Sequence, residues 1–256
     1  MALFQHLLDY VKRDQEVALV TVVRGPAAML GTKAVIPMDE PATGPLLDSP
    51  LAAEIERDAR DCITRRESIT RRYPLHPDPA TPEIEVFFEI HNSAPRLIIV
   101  GAVHIASDLI HYAKPLGLRT YLVDPRSAFA TPERFPHVDE MLHAWPDEAL
   151  ETIGITRQTS VVVVTHDPKL DDPALKIALP SLAQYVGALG SPKTHAQRVK
   201  RLLAEGVAQA HLDRLHAPIG LNIGGRTPAE IALSIIAEIV AVRNNVPVTQ
   251  PDRPNE

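Results

Sequence analysis

Residues 97–107, LIIVGAVHIAS, join an apolar run to a glycine turn of the kind that binds dinucleotides. In the fingerprint G-x-G-x-x-G/A the first glycine forms a tight turn, the second admits the pyrophosphate to the backbone, and the last small residue allows helix–strand packing. Gly101 and Ala106 fit the first and last positions, but Val103 occupies the second. Its side chain would project where the pyrophosphate lies, so NAD(P) binding in the usual pose is disfavoured.

A carboxylate suited to ribose hydroxyls follows the next apolar run, at Asp124. Its separation from Gly101 is about the distance that the dinucleotide fingerprint requires. A broken fingerprint leaves two interpretations open. The crevice binds a nucleotide, or it binds another ligand or none.

A loop and helix start at residues 224–230, GGRTPAE, could bind an anion. Thr227 and Glu230 fit a capping box around Pro228. The two glycines and the arginine before it would present free backbone N–H groups together with a guanidinium. The same sequence also suits a helix that is only well capped. The candidate binding residues are Gly224, Gly225, Arg226 and Thr227.

Two more pairs of candidates follow apolar runs. His166 could donate a proton or bind a metal, and Asp167 could orient it. Gly190 and Ser191 open a basic segment that could contact phosphate or a partner, although a run of charge is more often the solvated face of a helix. For His166 and Asp167, an ordinary structural loop ahead of Pro168 is an equally good interpretation.

Metal and thiol chemistry have little support. The 11 histidines are scattered and no His, Asp or Glu grouping has a zinc spacing, so no metal site is predicted. The lone cysteine, Cys62, falls on the apolar stripe of a predicted helix, which favours a buried thiol over a sulfur carrier. The absence of a G-x-S-x-G elbow and of a Walker loop argues against a serine hydrolase and a P-loop ATPase.

The elements that must position these residues form an α/β fold. Short apolar runs at 97–100, 120–123, 160–164 and 185–189 alternate with helix-length segments, which predicts a Rossmann-like parallel sheet with helices on both faces. A small α+β N-terminal domain precedes it, and we expect the domains to be 1–92 and 96–256. The other predicted elements are helices at 2–13, 51–66 and 231–242, strands at 17–23, 32–36 and 83–90, a surface loop at 65–82 and a loose tail at 244–256.

Composition restricts the class of protein. The 26 basic and 32 acidic residues among 256 give a net charge of −6, which offers nucleic acid and anionic membranes no general attraction. No run of about 18 apolar residues and no signal-like start occurs. We therefore expect a cytoplasmic protein with neither a nucleic acid nor a membrane as partner.

Several ordered blocks resemble the XdhC/CoxI family of molybdenum-hydroxylase maturation factors. They are GAVHIA at 101–106, VDPR at 123–126, FATPERFP at 129–136, THDPKLD at 165–171, YVGALGS at 185–191 and APIGLNIGGRTPAEIA at 217–232. On this resemblance the cofactor contacts fall on Gly101, Ala102, Val103, His104, Asp124, Arg126, His166, Asp167, Gly190, Ser191, Gly224, Gly225, Arg226 and Thr227.

The resemblance implies an accessory protein more than a catalyst. It implies binding of molybdenum cofactor (molybdopterin) and help to a client hydroxylase of the xanthine dehydrogenase or CO dehydrogenase type. It also implies a homodimer, and it leaves a cysteine desulfurase open as a second partner. Residues 44–50 lack the cysteine that many members carry there, so sulfur chemistry is not transferred to that segment. The family also usually has glycine where Val103 stands.

Two alternatives remain from the residues themselves. An NAD(P)-dependent oxidoreductase would use Asp124 and the first crossover at Gly101. An interaction protein without a ligand would only dock a hydroxylase.

Overall fold

The computed structural model describes residues 2–75 and 83–247. The chain separates into two compact units, Met1–Ser93 and Ala94–Glu256. Each unit has its own sheet and its own buried core.

The first unit packs helices on an antiparallel sheet. Its elements are α1 (Ala2–Lys12), β1 (Val17–Arg24), β2 (Lys33–Pro37), a 3-10 turn (Pro45–Asp48), α2 (Ala52–Arg65), β3 (Ile69–Pro74) and β4 (Glu83–His91). The strands lie in the order β2-β1-β4-β3. Ile55, Ala59 and Ile63 of α2 are buried against the apolar face of this sheet. The helices and the first hairpin predicted from hydrophobic spacing are confirmed.

The surface loop predicted for residues 65–82 is wrong where the structure describes it, because β3 lies there as an edge strand paired with β4. Its polar residues have partners on α2. Arg71 forms ion pairs with Asp58 at 2.9 Å and Asp61 at 3.2 Å. The Tyr73 hydroxyl donates to Asp58 at 2.7 Å. The rest of that segment, 76–82, and the end of the predicted tail, 248–256, lie outside the described residues.

The second unit is a parallel sheet with intervening helices. Its elements are β5 (Arg96–Val100), α3 (His104–Ala113), a 3-10 turn (Lys114–Leu116), β6 (Arg119–Val123), β7 (Glu140–Leu142), α4 (Pro146–Ile153), β8 (Thr159–Val163), α5 (Pro168–Ala178), β9 (Tyr185–Ala188), α6 (Pro192–Ala204), α7 (Gln209–Leu212), β10 (Leu215–His216) and α8 (Pro228–Arg243). Within the described residues the sheet order is β10-β9-β8-β5-β6-β7. Each neighbouring pair in this sheet is parallel.

Both faces of this sheet are buried. Leu97 and Ile99 of β5 belong to the core beneath α3 and α8, whereas Ile98 and Val100 belong to the core beneath α4, α5 and α6. Alternate side chains of a strand point to opposite faces, so a strand covered on both sides reads as a continuous apolar run. The predicted α/β class, with helices on both faces of a parallel sheet after an α+β region, is confirmed.

Helix α8 is apolar nearly all round because it packs along α3 over the sheet. Ala232, Ile235 and Ile239 are buried in this core. The helix has 16 residues. Across residues 2–75 and 83–247, no helix has both the length and the hydropathy needed to cross a bilayer.

Cys62 provides a test of the first unit's packing. Its side chain is 1% exposed, and burial raises the pKa of its thiol. We expect a thiol reagent to modify Cys62 far more slowly in the native protein than in urea. A Thr64→Cys variant supplies the control, because Thr64 lies on the same helix and is exposed. Native Cys62 labelling as fast as that of Cys at position 64 would contradict the packing described.

Candidate functional site

The loops that follow the parallel strands meet at one edge of the second sheet. The chain leaves β5 toward β6 on one side and leaves the adjacent strand β8 toward β9 on the other. In open α/β sheets, ligands bind outside the carboxyl ends of the strands near such a reversal. The predicted candidates after β5, β6, β8 and β9 lie at this edge, and so does the segment between β10 and α8.

A cavity of about 570 Å³ opens between the loop after β9 and the loop before α8. It brings together four predicted site residues, Gly190, Gly224, Gly225 and Arg226. It does not include the predicted residues 101–104, 124, 126, 166, 167, 191 and 227. The remaining lining residues are Leu189, Pro192, Pro218, Ile219, Leu221, Asn222, Ile223, Ile231 and Ser234.

The start of α8 has the predicted capping box. Thr227 Oγ1 accepts from the Glu230 backbone N–H, and the Glu230 carboxylate accepts from the backbone N–H groups of Thr227 at 2.9 Å and Arg226 at 2.8 Å. These backbone hydrogen bonds lower the pKa of Glu230. The prediction that this helix start presents free N–H groups is therefore wrong for residues 226 and 227, since Glu230 occupies both. The exposed Arg226 guanidinium is a charged donor that an anion could use here.

Glycine is required at two places in this loop. Gly224 has φ +76°, in the left-handed region. A Cβ on Gly225 would lie 2.9 Å from Cβ of Glu230. The loop therefore lies against the first turn of α8, and Arg226 leaves it at the mouth of the cavity.

The first crossover is closed by Asp124. Its buried carboxylate accepts from the Ala102 backbone N–H at 2.8 Å and from Arg126, through the backbone N–H at 3.0 Å and through Nε and Nη2 at 2.8 Å each. Burial raises the pKa of Asp124, but the hydrogen bonds from Arg126 and the backbone outweigh it and the net shift is downward. A ribose diol would have to displace these bonds.

Gly101 and Val103 shape the turn that Asp124 closes. Gly101 has φ +115°, and a Cβ there would lie 2.5 Å from Cγ2 of Thr165 on the neighbouring loop. Val103 is the N-cap position of α3, and its half-buried side chain packs against the core below. His104 is the first residue of that helix.

The loop after β8 contains His166 and Asp167, which the sequence predicted to act as a pair. His166 is exposed. Asp167 is the N-cap of α5 and accepts from the Lys169 backbone N–H at 3.0 Å. Asp167 therefore serves the helix start, and in the described part of the chain it shows no hydrogen bond that orients His166.

A buried carboxylate missed in the sequence anchors the cavity wall. Glu238 of α8 accepts from the Tyr185 hydroxyl at 2.5 Å, from the Gly220 backbone N–H at 2.8 Å and interacts with His216 Nδ1 at 3.1 Å. Its side chain is fully buried. Burial raises the pKa of Glu238, but hydrogen bonds from His216 and Tyr185 outweigh it and the pKa is lowered. A single carboxylate within the apolar run 231–242 was the available signal.

In the described ranges, no group of three His, Cys, Asp or Glu side chains is arranged to hold a metal ion. Cys62 lies in the core of the first unit. The cavity in the second unit is lined by apolar side chains, backbone, an amide and a guanidinium. Its chemistry suits an anionic organic ligand with a flat apolar part.

Comparison with known proteins gives a family match for this unit. The XdhC Rossmann domain model matches residues 97–239, which is more than half of the 256-residue chain. A solved structure of a xanthine dehydrogenase from Bacillus halodurans aligns over 97% of both chains with a TM-score of 0.53 and 20% identity, so the two share a fold.

Three curated relatives are similar in sequence, and two of them have informative names. A protein of Bacillus subtilis described as a probable xanthine dehydrogenase component is 32% identical over 163 residues, 64% of this chain and 47% of that protein. The molybdenum cofactor insertion chaperone PaoD of Escherichia coli is 34% identical over 89 residues, 35% of this chain and 28% of that protein. The chain thus spans less than half the length of either relative.

The Glu238 cluster predicts a large stability effect. Glu238→Leu leaves the Gly220 N–H and the Tyr185 hydroxyl without their buried acceptor, so we expect a loss of about 3 kcal/mol in unfolding free energy. Glu151→Leu, on the exposed surface of α4, is the control and should change stability by less than about 0.5 kcal/mol. Urea unfolding measures both, and equal effects would contradict the role of Glu238.

The same cluster predicts a pH dependence. Because the folded protein lowers the pKa of Glu238, the charged carboxylate contributes stability above its unfolded pKa of about 4.3, and that contribution is lost as pH falls through the folded value. Glu238→Gln should therefore flatten the acid limb of the stability curve relative to the parent protein. An unchanged acid limb in urea titrations between about pH 3 and 7 would contradict this assignment.

Proposed function

Because the chain belongs to the XdhC family, we propose that it binds molybdenum cofactor and assists its insertion into a molybdenum hydroxylase. The family match runs from β5 into α8, across the whole parallel sheet. A relative that bears the name molybdenum cofactor insertion chaperone supports the same role. A client of the xanthine dehydrogenase or CO dehydrogenase type belongs to this proposal.

The cavity beside Arg226 is the observation that carries the proposal. Its volume of about 570 Å³ falls in the range of small-molecule sites. Molybdopterin is a flat ring system with an anionic phosphate tail. Apolar walls such as Ile219 and Leu221 fit the ring, and an exposed guanidinium fits the tail.

The roles of individual residues follow from this fit. Arg226 would bind the anionic tail, and the amide of Asn222 would bind polar atoms of the pterin. Gly190 and Gly225 let their loops lie close against the first turns of α6 and α8, which positions the backbone that lines the cavity. The bound cofactor supplies the molybdenum centre that the client hydroxylase uses. The chain's own residues hold and orient it and shield it from water.

A partner protein, and not this chain, would supply sulfur to the cofactor. The chain has one cysteine, and Cys62 is buried in the core of the other unit with a raised thiol pKa. A cysteine desulfurase therefore stays a predicted partner. The homodimer stays a prediction as well, and light scattering on the purified chain tests it.

The alternative function, an NAD(P)-dependent oxidoreductase, has less support than cofactor binding. Asp124, the predicted ribose ligand, already accepts hydrogen bonds from Ala102 and Arg126. The predicted residues of the first crossover, Gly101–His104, and the pair His166 and Asp167 would then border the site without contacting the pterin. Titration with NADH tests this directly, and fluorescence transfer at micromolar cofactor would revive the oxidoreductase alternative.

The role of Arg226 is tested by charge reversal. The purified chain is mixed with cofactor released from a molybdenum enzyme, and molybdenum and pterin are measured in the protein peak after gel filtration. We expect Arg226→Glu to lower cofactor retention about tenfold, because it removes one charge-assisted contact.

Lys200→Glu makes the same change in net charge on an exposed part of α6 and should retain the cofactor. Equal retention by Arg226→Glu and the parent protein would reject Arg226 as a ligand. Failure of the parent protein to retain any cofactor would reject the proposed function.

A further inference from the structure

Arg198 of α6 is a deeply buried arginine whose hydrogen-bonding capacity is only partly used. Its side chain is 1% exposed. Nη2 donates to Asp171 Oδ2 at 2.9 Å and to the Leu189 carbonyl at 2.9 Å. Nε and Nη1 meet no acceptor among the described residues. Leaving buried charged donors unpaired is costly, so this arrangement calls for a further acceptor.

Neighbouring arginines show what full pairing looks like in this unit. Arg201, one turn further along α6, binds Asp172 through Nε at 2.6 Å and Nη2 at 3.0 Å. Arg126 binds Asp124 through the same two nitrogens at 2.8 Å each. Arg198 is more buried than either, yet it contacts its own carboxylate through a single nitrogen.

A second unpaired atom lies on the same side of the helix. His195 precedes Arg198 by three residues, so the two side chains share a face of α6. Its Nδ1 is buried and has no partner among the described residues. Burial, with the nearby charge of Arg198, lowers the pKa of His195, so the imidazole is neutral near pH 7 and can donate one hydrogen bond.

One of these atoms, Arg198 Nη1, lies under the loop that starts the helix. Arg198 Nη1 lies 3.7 Å from the position that a Cβ of Gly190 would take. Ser191 caps the helix by accepting from the Thr194 backbone N–H. The helix N-terminus adds a partial positive charge to that of the guanidinium.

We propose that the start of α6 is an oxyanion site, with phosphate as its ligand class, in which Arg198 Nη1 and His195 Nδ1 bind the anion beneath Gly190. The tetrahedral oxygens of a phosphate can accept from both side chains at once. Gly190 and Pro192 also line the cavity. The source is therefore either the phosphate of a ligand that occupies the cavity or a free phosphate ion.

Inorganic phosphate is the probe for the site itself. Calorimetric titration in phosphate-free buffer should give saturable binding to the parent protein and to Arg201→Met, which removes a paired arginine from the same helix. Arg198→Met should weaken the binding about tenfold or more. Binding to Arg198→Met with unchanged affinity, or no binding to the parent protein, would overturn the proposal.

His195→Leu keeps the experiment decisive if Arg198→Met fails to fold. Nδ1 of His195 has no partner to lose among the described residues, so this variant should fold and bind phosphate more weakly than the parent protein. Undiminished phosphate affinity in His195→Leu would remove His195 from the site. Circular dichroism at the titration temperature confirms that each variant is folded.

The source of the phosphate is distinguished by competition. If the anion site takes the tail of the cofactor together with Arg226, inorganic phosphate should lower cofactor retention, and retention of the dephosphorylated cofactor should not change. If it takes free phosphate, cofactor and phosphate should bind together. Phosphate binding without cofactor retention would support the anion site and reject the proposed function. Cofactor retention without phosphate binding would support the proposed function and reject the anion site.

Discussion

Three buried carboxylates hold the loops at the carboxyl edge of the parallel sheet. Asp124 accepts from Ala102 and Arg126, Asp171 accepts from Thr165 and Arg198, and Glu238 accepts from Tyr185 and Gly220. Backbone N–H groups beyond the strand ladder need other partners, and Asp124 and Glu238 accept from them, whereas Asp171 accepts from two side chains. The shape of the candidate site depends on these three residues because each links two segments that are distant in sequence.

Three helices at this edge begin with the same arrangement, an N-cap residue followed by proline, and this arrangement limits where an anion can bind. Asp167, Ser191 and Thr227 are the N-caps of α5, α6 and α8, and each is followed by a proline. The caps satisfy backbone N–H groups within the helix start, and proline has no N–H to offer. The caps and prolines reduce the number of backbone donors at these helix starts, which gives the Arg226 guanidinium its importance. The predicted anion binding by free backbone groups did not allow for Glu230, which uses two of them.

The features that the sequence predicted correctly were mostly single helices, strands and helix starts. Apolar runs identified the four central strands of the parallel sheet, and the cap, proline and glutamate spacing identified the start of α8, because these signals lie within one element. Strands β7 and β10 have three and two residues, and their pairing with neighbours defines them more than their composition does. Strand β3 was missed because its polar residues are explained by ion pairs with α2. The contact between Arg198 and Asp171 joins residues 27 apart, and no sequence period indicates it.

We propose that the cofactor lies between the loop after β9 and the loop before α8. Hydrogen–deuterium exchange with and without bound molybdenum cofactor tests it most directly, since exchange reports protection segment by segment. We expect slower exchange on binding in residues 189–196 and 219–227, with residues 101–106 and 124–126 unchanged. Protection confined to residues 101–106 and 124–126 would contradict it and place the ligand at the first crossover.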